Sequence, residues 1–195
     1  MNEEIKPVIV DGIEIPGYFV SNFGRVFTSL SKRRSNGKYV GSYVSEQKSE
    51  MKPSKEMNGR SGQLSGLRVE LTFAPGTFGD YSYRKLDNKE TRKIYVHQLV
   101  MQAFRPVLDY PPEVLKPYWD STPNEVKKWI AKSVIINHMD HDPSNNFVDN
   151  LEYVTARENS RAAVKHYGGN LANRKTVTSG VELQEEKKVT ILEFV

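Results

Sequence analysis

The sequence predicts an α+β protein: a β-rich N-terminal module followed by a strand–loop–strand–helix module. Three observations predict this class. Residues 8–30, VIVDGIEIPGYFVSNFGRVFTSL, are short β-branched and aromatic runs broken by Asp11-Gly12, Pro16-Gly17 and Asn22-Phe23-Gly24, which is the punctuation of strands and turns. Residues 67–75, LRVELTFAP, alternate at period two and read as a strand. Residues 134–163, VIINHMDHDPSNNFVDNLEYVTARENSRAA, set two short apolar runs around a stretch crowded with Asn, Asp and His, and then turn helical.

The remaining elements follow in order. Residues 31–66 are polar and read as loops and weak strands. Between 32 and 60 they carry eight basic residues (Lys32, Arg33, Arg34, Lys38, Lys48, Lys52, Lys55, Arg60) against three acidic ones (Glu46, Glu50, Glu56), a local positive excess. Residues 76–90 look like a hairpin excursion. Residues 92–104, RKIYVHQLVMQAF, start as a strand and then place Leu99, Val100, Ala103 and Phe104 at helical spacing. Pro106, Pro111, Pro112 and Pro117 make 106–121 a broken connector. Pro123, preceded by Ser121-Thr122 and followed by Glu125, starts a helix whose apolar face is Val126, Trp129 and Ile130. VIINHMD should be a strand, HDPSNNFVDN a loop and LEYVT a second strand. Thr155 and Glu158 form a capping box, so a helix begins at once, runs to about Tyr167 and ends at Gly168-Gly169. KVTILEFV in the tail is a candidate last strand. The boundaries that follow are 8–104 for the β-rich module, 105–133 for a helical connector, 134–169 for the strand–loop–strand–helix module and 170–195 for the tail.

Composition narrows the function classes. The chain has 195 residues, enough for one good-sized domain or two small ones. A net charge of +4 admits a polyanionic partner without requiring one. Cysteine is absent, which excludes disulfides and zinc–thiolate sites and fits a reducing interior. MNEEIKPVIV lacks the basic and apolar regions of a secretory signal, and no apolar run approaches the roughly 20 residues that span a membrane. A cytoplasmic protein with no membrane partner is expected.

His138 falls near the end of the first strand, Asn150 closes the loop, and Asn159 lies in the first turns of the helix. The spacings are 150 − 138 = 12 and 159 − 150 = 9. A loop rich in Asn and Asp ties its side chains to its own backbone and can hold a histidine rigidly. The pattern N-H-x-D, then N-N, then D-N-L-E-Y-V-T, then R-E-N resembles the HNH nucleases, a branch of the ββα-metal endonucleases, and within them the phage and intron homing endonucleases. IPGYFVSNFGRVFT (15–28) resembles the opening, and YVHQLVMQAF (95–104) the closing, of the NUMOD-type DNA-binding module that precedes HNH modules.

The resemblance implies a divalent-metal-dependent DNA endonuclease acting on double-stranded DNA, with 5′-phosphate and 3′-hydroxyl products and one nick per site. It implies His138 as general base, Asn150 as the loop-fixing residue and Asn159 as a metal ligand. It also maps a ligand onto Asn137, where several relatives have Asp. One Mg²⁺ (or Mn²⁺) ion per site is expected. The chemistry agrees. A neutral imidazole can take a proton from water, and a hard cation prefers oxygen ligands and keeps several waters. Asp140, two residues past His138 and so on the same strand face, is the competing carboxylate, as metal ligand or loop cap.

Arg157, Arg161 and Lys165 recur at four-residue spacing, and with Arg25, Lys32, Arg33 and Arg34 they are the expected phosphate contacts. His141 and Asp142 read as turn residues, and Asn145 and Asn146 as loop hydrogen-bonders. His97 reads as packing or as a residue behind the site, His166 as surface, and Tyr18 and Phe19 as core. The alternative function is a DNA-binding protein that keeps the HNH fold but cleaves weakly or not at all, which the neutral Asn137 favours. Oligomeric state, monomer or homodimer, is left open.

Overall fold

A computed structural model describes residues 2–74, 76–78, 85–86 and 89–171; within them the side chains of 32–34, 38–42, 85–86, 89, 163 and 165–171 lie outside the described part. KVTILEFV therefore falls outside the described residues, as do the side chains of Lys32, Arg33, Arg34, Lys165 and His166.

The chain turns at Asp11-Gly12 and at Asn22-Phe23-Gly24 as the sequence predicts, but Pro16-Gly17 lies inside a strand rather than at a break. β1 (Ile5–Val10), β2 (Ile13–Ser21), β3 (Val26–Ser35) and β4 (Lys38–Glu50) form an antiparallel sheet in that order. A second sheet has the order β5-β6-β8-β7, from β5 (Ser54–Met57), β6 (Leu64–Phe73), β7 (Lys85–Leu86) and β8 (Lys89–Tyr95). Of the polar stretch expected as loops and weak strands, the part up to Glu50 is a long hairpin, β3 and β4, and the rest, before β6, is loop around the short β5. The two-residue turn of the hairpin is Asn36-Gly37, with φ of 49° and 75°, the doubly positive backbone that a type I′ turn demands.

α1 (Val96–Phe104) follows β8 without a break and buries Leu99, Val100 and Met101. They pack with Val8, Val10, Ile15, Val20 and Val26 of the first sheet and with Val69, Leu71 and Ile94 of the second. Tyr18 is buried there, and its hydroxyl accepts from the Thr72 N–H (2.9 Å), tying one sheet to the other. Phe19 is half-buried beneath Lys48, whose Nζ lies 3.9 Å from the ring centroid.

The connector holds a 3₁₀ turn, Glu113–Tyr118, and α2 (Asn124–Ser133) begins after Pro123. The expected apolar face of α2 is not buried: Trp129 is 67% exposed and Val126 44%. Trp119 is the buried anchor of this segment instead, donating its Nε1–H to Leu108 O (2.8 Å). β9 (Ile135–His138) and β10 (Leu151–Val154) pair antiparallel, with Leu151 opposite His138. Val148 and Leu151 join the same core as the two sheets, which roots the hairpin in the body of the protein.

The capping box forms as read. Glu158 N–H donates to Thr155 Oγ1 (3.2 Å), and Thr155 N–H donates to Glu158 Oε2 (2.8 Å). α3 spans Ala156–Leu171 and so passes through Gly168-Gly169 rather than ending there. Glycine in a helix costs about 1 kcal/mol relative to alanine but does not forbid it. Contacts divide the chain into two compact units, Met1–Asn159 and Ser160–Val195.

Candidate active site

Strand β9 delivers His138 and then stops. Met139 N–H still donates across to Asn150 O (2.9 Å), and the chain then turns away at Met139-Asp140. Asp140 is therefore in a turn, not on the strand face expected for it, and His141 adopts a positive φ of 62°. The loop is organised about Asp140 and Asn150. Asp140 Oδ1 accepts from Asp142 N–H (2.9 Å) and Asn150 Nδ2 (2.9 Å), and Oδ2 accepts from Asn145 Nδ2 (2.6 Å). Burial pushes the Asp140 carboxyl up, but these hydrogen bonds, with the charge of His138, hold it below the usual carboxylate range.

Asn150 uses both ends of its amide. Oδ1 accepts from Asp140 N–H (3.1 Å), and Nδ2 also donates to Asn145 O (2.9 Å). The residue before β10 thus clasps the start and the far side of the loop at once. Beneath it, Arg105 donates to Val148 O (3.1 Å) and pairs with Asp149, while Tyr153 Oη donates to Arg105 O (3.0 Å). These bonds fix the loop to the C-terminal end of α1.

His138 itself is half-buried. Its Nε2 lies 3.2 Å from Asn146 Oδ1, and its ring meets His97 edge-on, 5.2 Å between centroids at 87°. His97 stacks in turn on Tyr95 (5.0 Å, 13°), whose hydroxyl accepts from Arg68 Nη2 (2.6 Å). Burial pushes the His97 imidazole down to about 4, and the neighbouring His138 charge acts in the same direction. His97 Nδ1 is buried without a partner. The wall behind His138 is therefore a neutral imidazole.

Asn137 points its amide at the opposite strand: Nδ2 donates to Glu152 Oε1 (2.8 Å), its cross-strand partner. This direction leaves Oδ1 as the Asn137 atom to offer a cation. Asn159 is half-buried in the first turn of α3, and Arg157 is exposed beside it. Arg161 is exposed but belongs to the second compact unit with Lys165. Arg25 is ion-paired with Glu3 and, at 3.5 Å, with Glu50, so its charge is already matched by two carboxylates. Among the described residues, no group of three His, Cys, Asp or Glu side chains is placed to hold a metal ion.

Residues 126–161 match the family model of an HNH endonuclease. The matched segment runs from within α2 through β9, the loop and β10 to the start of α3. No curated protein matches the chain. A solved structure described as "DNA binding and cleavage by the HNH homing endonuclease I-HmuI" is 20% identical, over 88% of this chain and 67% of that one, with a TM-score of 0.41. Among the described residues, no helix is long and apolar enough to cross a membrane.

Three residues beside His138 or Asn137 carry more than their sequence context suggests. Asn146 touches His138, although it reads as one of several loop hydrogen-bonders. Glu152 directs Asn137 from the partner strand. His97 backs His138 from α1, and its only sequence signal is its place in the 95–104 stretch.

Proposed function

We propose that the chain is a divalent-metal-dependent DNA endonuclease that leaves 5′-phosphate and 3′-hydroxyl ends and nicks one strand per site. One observation carries this reading: the HNH match coincides with a loop whose Asn150 clasps both sides and whose flanking strand presents His138. In this reading the N-terminal sheets are a NUMOD-type DNA-contacting module.

His138 accepts a proton from water as the water oxygen bonds to phosphorus. The bond to the 3′ oxygen breaks, that oxygen takes a proton from solvent, and His138 releases its own proton to solvent. Asn150 keeps the loop, and with it His138, in one position. Asn137 and Asn159 offer amide oxygens, which suit a hard cation, and the Asn137–Glu152 bond pre-orients one of them. When bound, Mg²⁺ or Mn²⁺ supplies polarisation of the phosphate and charge neutralisation at the leaving oxygen. Asp140, its oxygens occupied by three loop donors, serves the loop rather than the metal. Arg157, Arg161, Lys165, Lys32, Arg33 and Arg34 supply phosphate contacts, while Arg25 is spent on Glu3 and Glu50.

The neutral amides favour a second reading, DNA binding with little or no cleavage. The test is conversion of a supercoiled plasmid library, its inserts varied so that a site preference does not mask cutting. Open circles formed with Mg²⁺ or Mn²⁺ and abolished by EDTA support the endonuclease. Retarded DNA with no conversion under any metal supports the second reading.

A further inference from the structure

The geometry points to Asn146 as the residue that sets the tautomer of His138, and to the Asn22-Phe23-Gly24 turn as the part of the N-terminal module that presses Asn146 into place. This rests on the reading of His138 as general base.

The argument starts from the orientation of one amide. Asn146 is 3% exposed, so water is nearly excluded as an alternative partner. Its Nδ2 donates to Ser144 O (3.1 Å). A backbone carbonyl only accepts, so the end of the amide facing Ser144 is the NH₂, and the end facing His138 is the oxygen. That oxygen also only accepts. The 3.2 Å contact with His138 Nε2 therefore requires the proton on Nε2. In a neutral imidazole the lone pair then sits on Nδ1, which is the atom that accepts the proton from water. A histidine with the opposite tautomer would place two acceptors face to face at this contact.

The N-terminal module holds Asn146 there. Gly24 (φ 77°) lets its backbone lie so close that a Cβ added to it would meet Asn146 Cβ at 2.6 Å and Asn146 O at 3.0 Å. Val148 N–H donates to Asn22 O (2.9 Å), and Phe23 stacks on Phe147 (5.3 Å, 16°). Asn22 is itself 4% exposed and bonded through its side chain to Glu4 N–H (2.9 Å) and Asn2 O (3.1 Å). Asn146 is thus a positioning residue, acting through His138, and the turn at Gly24 couples the DNA-contacting sheet to it.

The test reads the tautomer directly, by nitrogen-15 NMR of the histidine rings in the full chain without metal, at a pH where imidazoles are neutral. Wild type is expected to show the Nε2–H form at His138. Asn146→Leu, which removes the acceptor, should let the Nε2–H fraction fall from nearly complete to the mixture of a free imidazole, and Gly24→Ala should move it part of the way. Asn146→Gln, which keeps an amide with one accepting and one donating end, should retain the nearly complete fraction. Metal-dependent nicking should fall at least about tenfold in Asn146→Leu and recover in Asn146→Gln, a rescue that a packing role alone would not give. An Nδ1–H form in wild type, or an unchanged Nε2–H form in Asn146→Leu, overturns the inference. An Nδ1–H form in the wild-type spectrum overturns the inference even if a variant fails to fold. The expected tautomer in a protein that does not cut would sink the nuclease reading alone. His138-dependent cutting with the opposite tautomer would sink this inference alone.

Discussion

Lowering the pH should loosen the joint between α1 and the 139–150 loop, and His97 sets the size of the effect. Burial, with the His138 charge beside it, holds its imidazole near 4 in the folded chain, against 6.5 for the unperturbed group. Between those values the unfolded chain binds more protons than the folded one. Stability is therefore fully present above about pH 6.5 and falls as the pH drops, until the loss is complete below about pH 4. Going from about pH 7.5 to about pH 5, this single group removes about 2 kcal/mol. The groups facing it are Tyr95 and His138, and Nδ1 has no partner that could absorb the added charge. Urea unfolding of wild type and of His97→Phe at the two pH values measures the effect, with the carboxylates common to both cancelling in the difference. Wild type should lose about 2 kcal/mol more than the variant. Equal losses would refute the reasoning, because the pH dependence would then come from other groups.

Other consequences are independent of that one. Leu151→Ala empties a site 1% exposed in the shared core and should cost about 2–5 kcal/mol in urea unfolding. Thr155→Ala breaks the capping box at the start of α3 and should cost about 1 kcal/mol, with lower helical circular dichroism on heating. Asn150→Ala removes three hydrogen bonds across the loop and should lower metal-dependent nicking by two orders of magnitude or more, roughly. Its proteolytic nicking between residues 139 and 150 should rise in step; a loop as resistant as wild type would show that Asn150 does not close it.

What the sequence made legible was local. Thr155 and Glu158 sit three residues apart, and the bonds they make need nothing from the rest of the chain. Asn22-Phe23-Gly24 was legible as a turn because it closes on local bonds, Gly24 N–H to Ser21 O (3.0 Å) and Ser21 N–H to Arg25 O (2.8 Å), although its other contacts come from far along the chain. The outer half of β3 and β4 read as no more than loops and weak strands because many of their side chains are polar and no alternation marks a buried face. The role of Asp140 turned on where β9 ends, and there Asp140 N–H donates to the side chain of Asn150, twelve residues after His138. Trp129 looked like part of a buried face because its spacing is helical; spacing reports a face but not whether anything covers it. Asn146 was least legible. Its meaning depends on Gly24, more than a hundred residues earlier, whose missing Cβ makes room for it.

The most direct measurement is single-turnover cleavage of a supercoiled plasmid library with Mg²⁺ or Mn²⁺, comparing wild type with His138→Ala. Loss of a general base predicts a fall of about a hundredfold to ten-thousandfold, with DNA binding retained. Metal-dependent cleavage by His138→Ala at the wild-type rate would contradict the account, because the residue around which the loop, Asn146 and His97 are arranged would then do no chemistry.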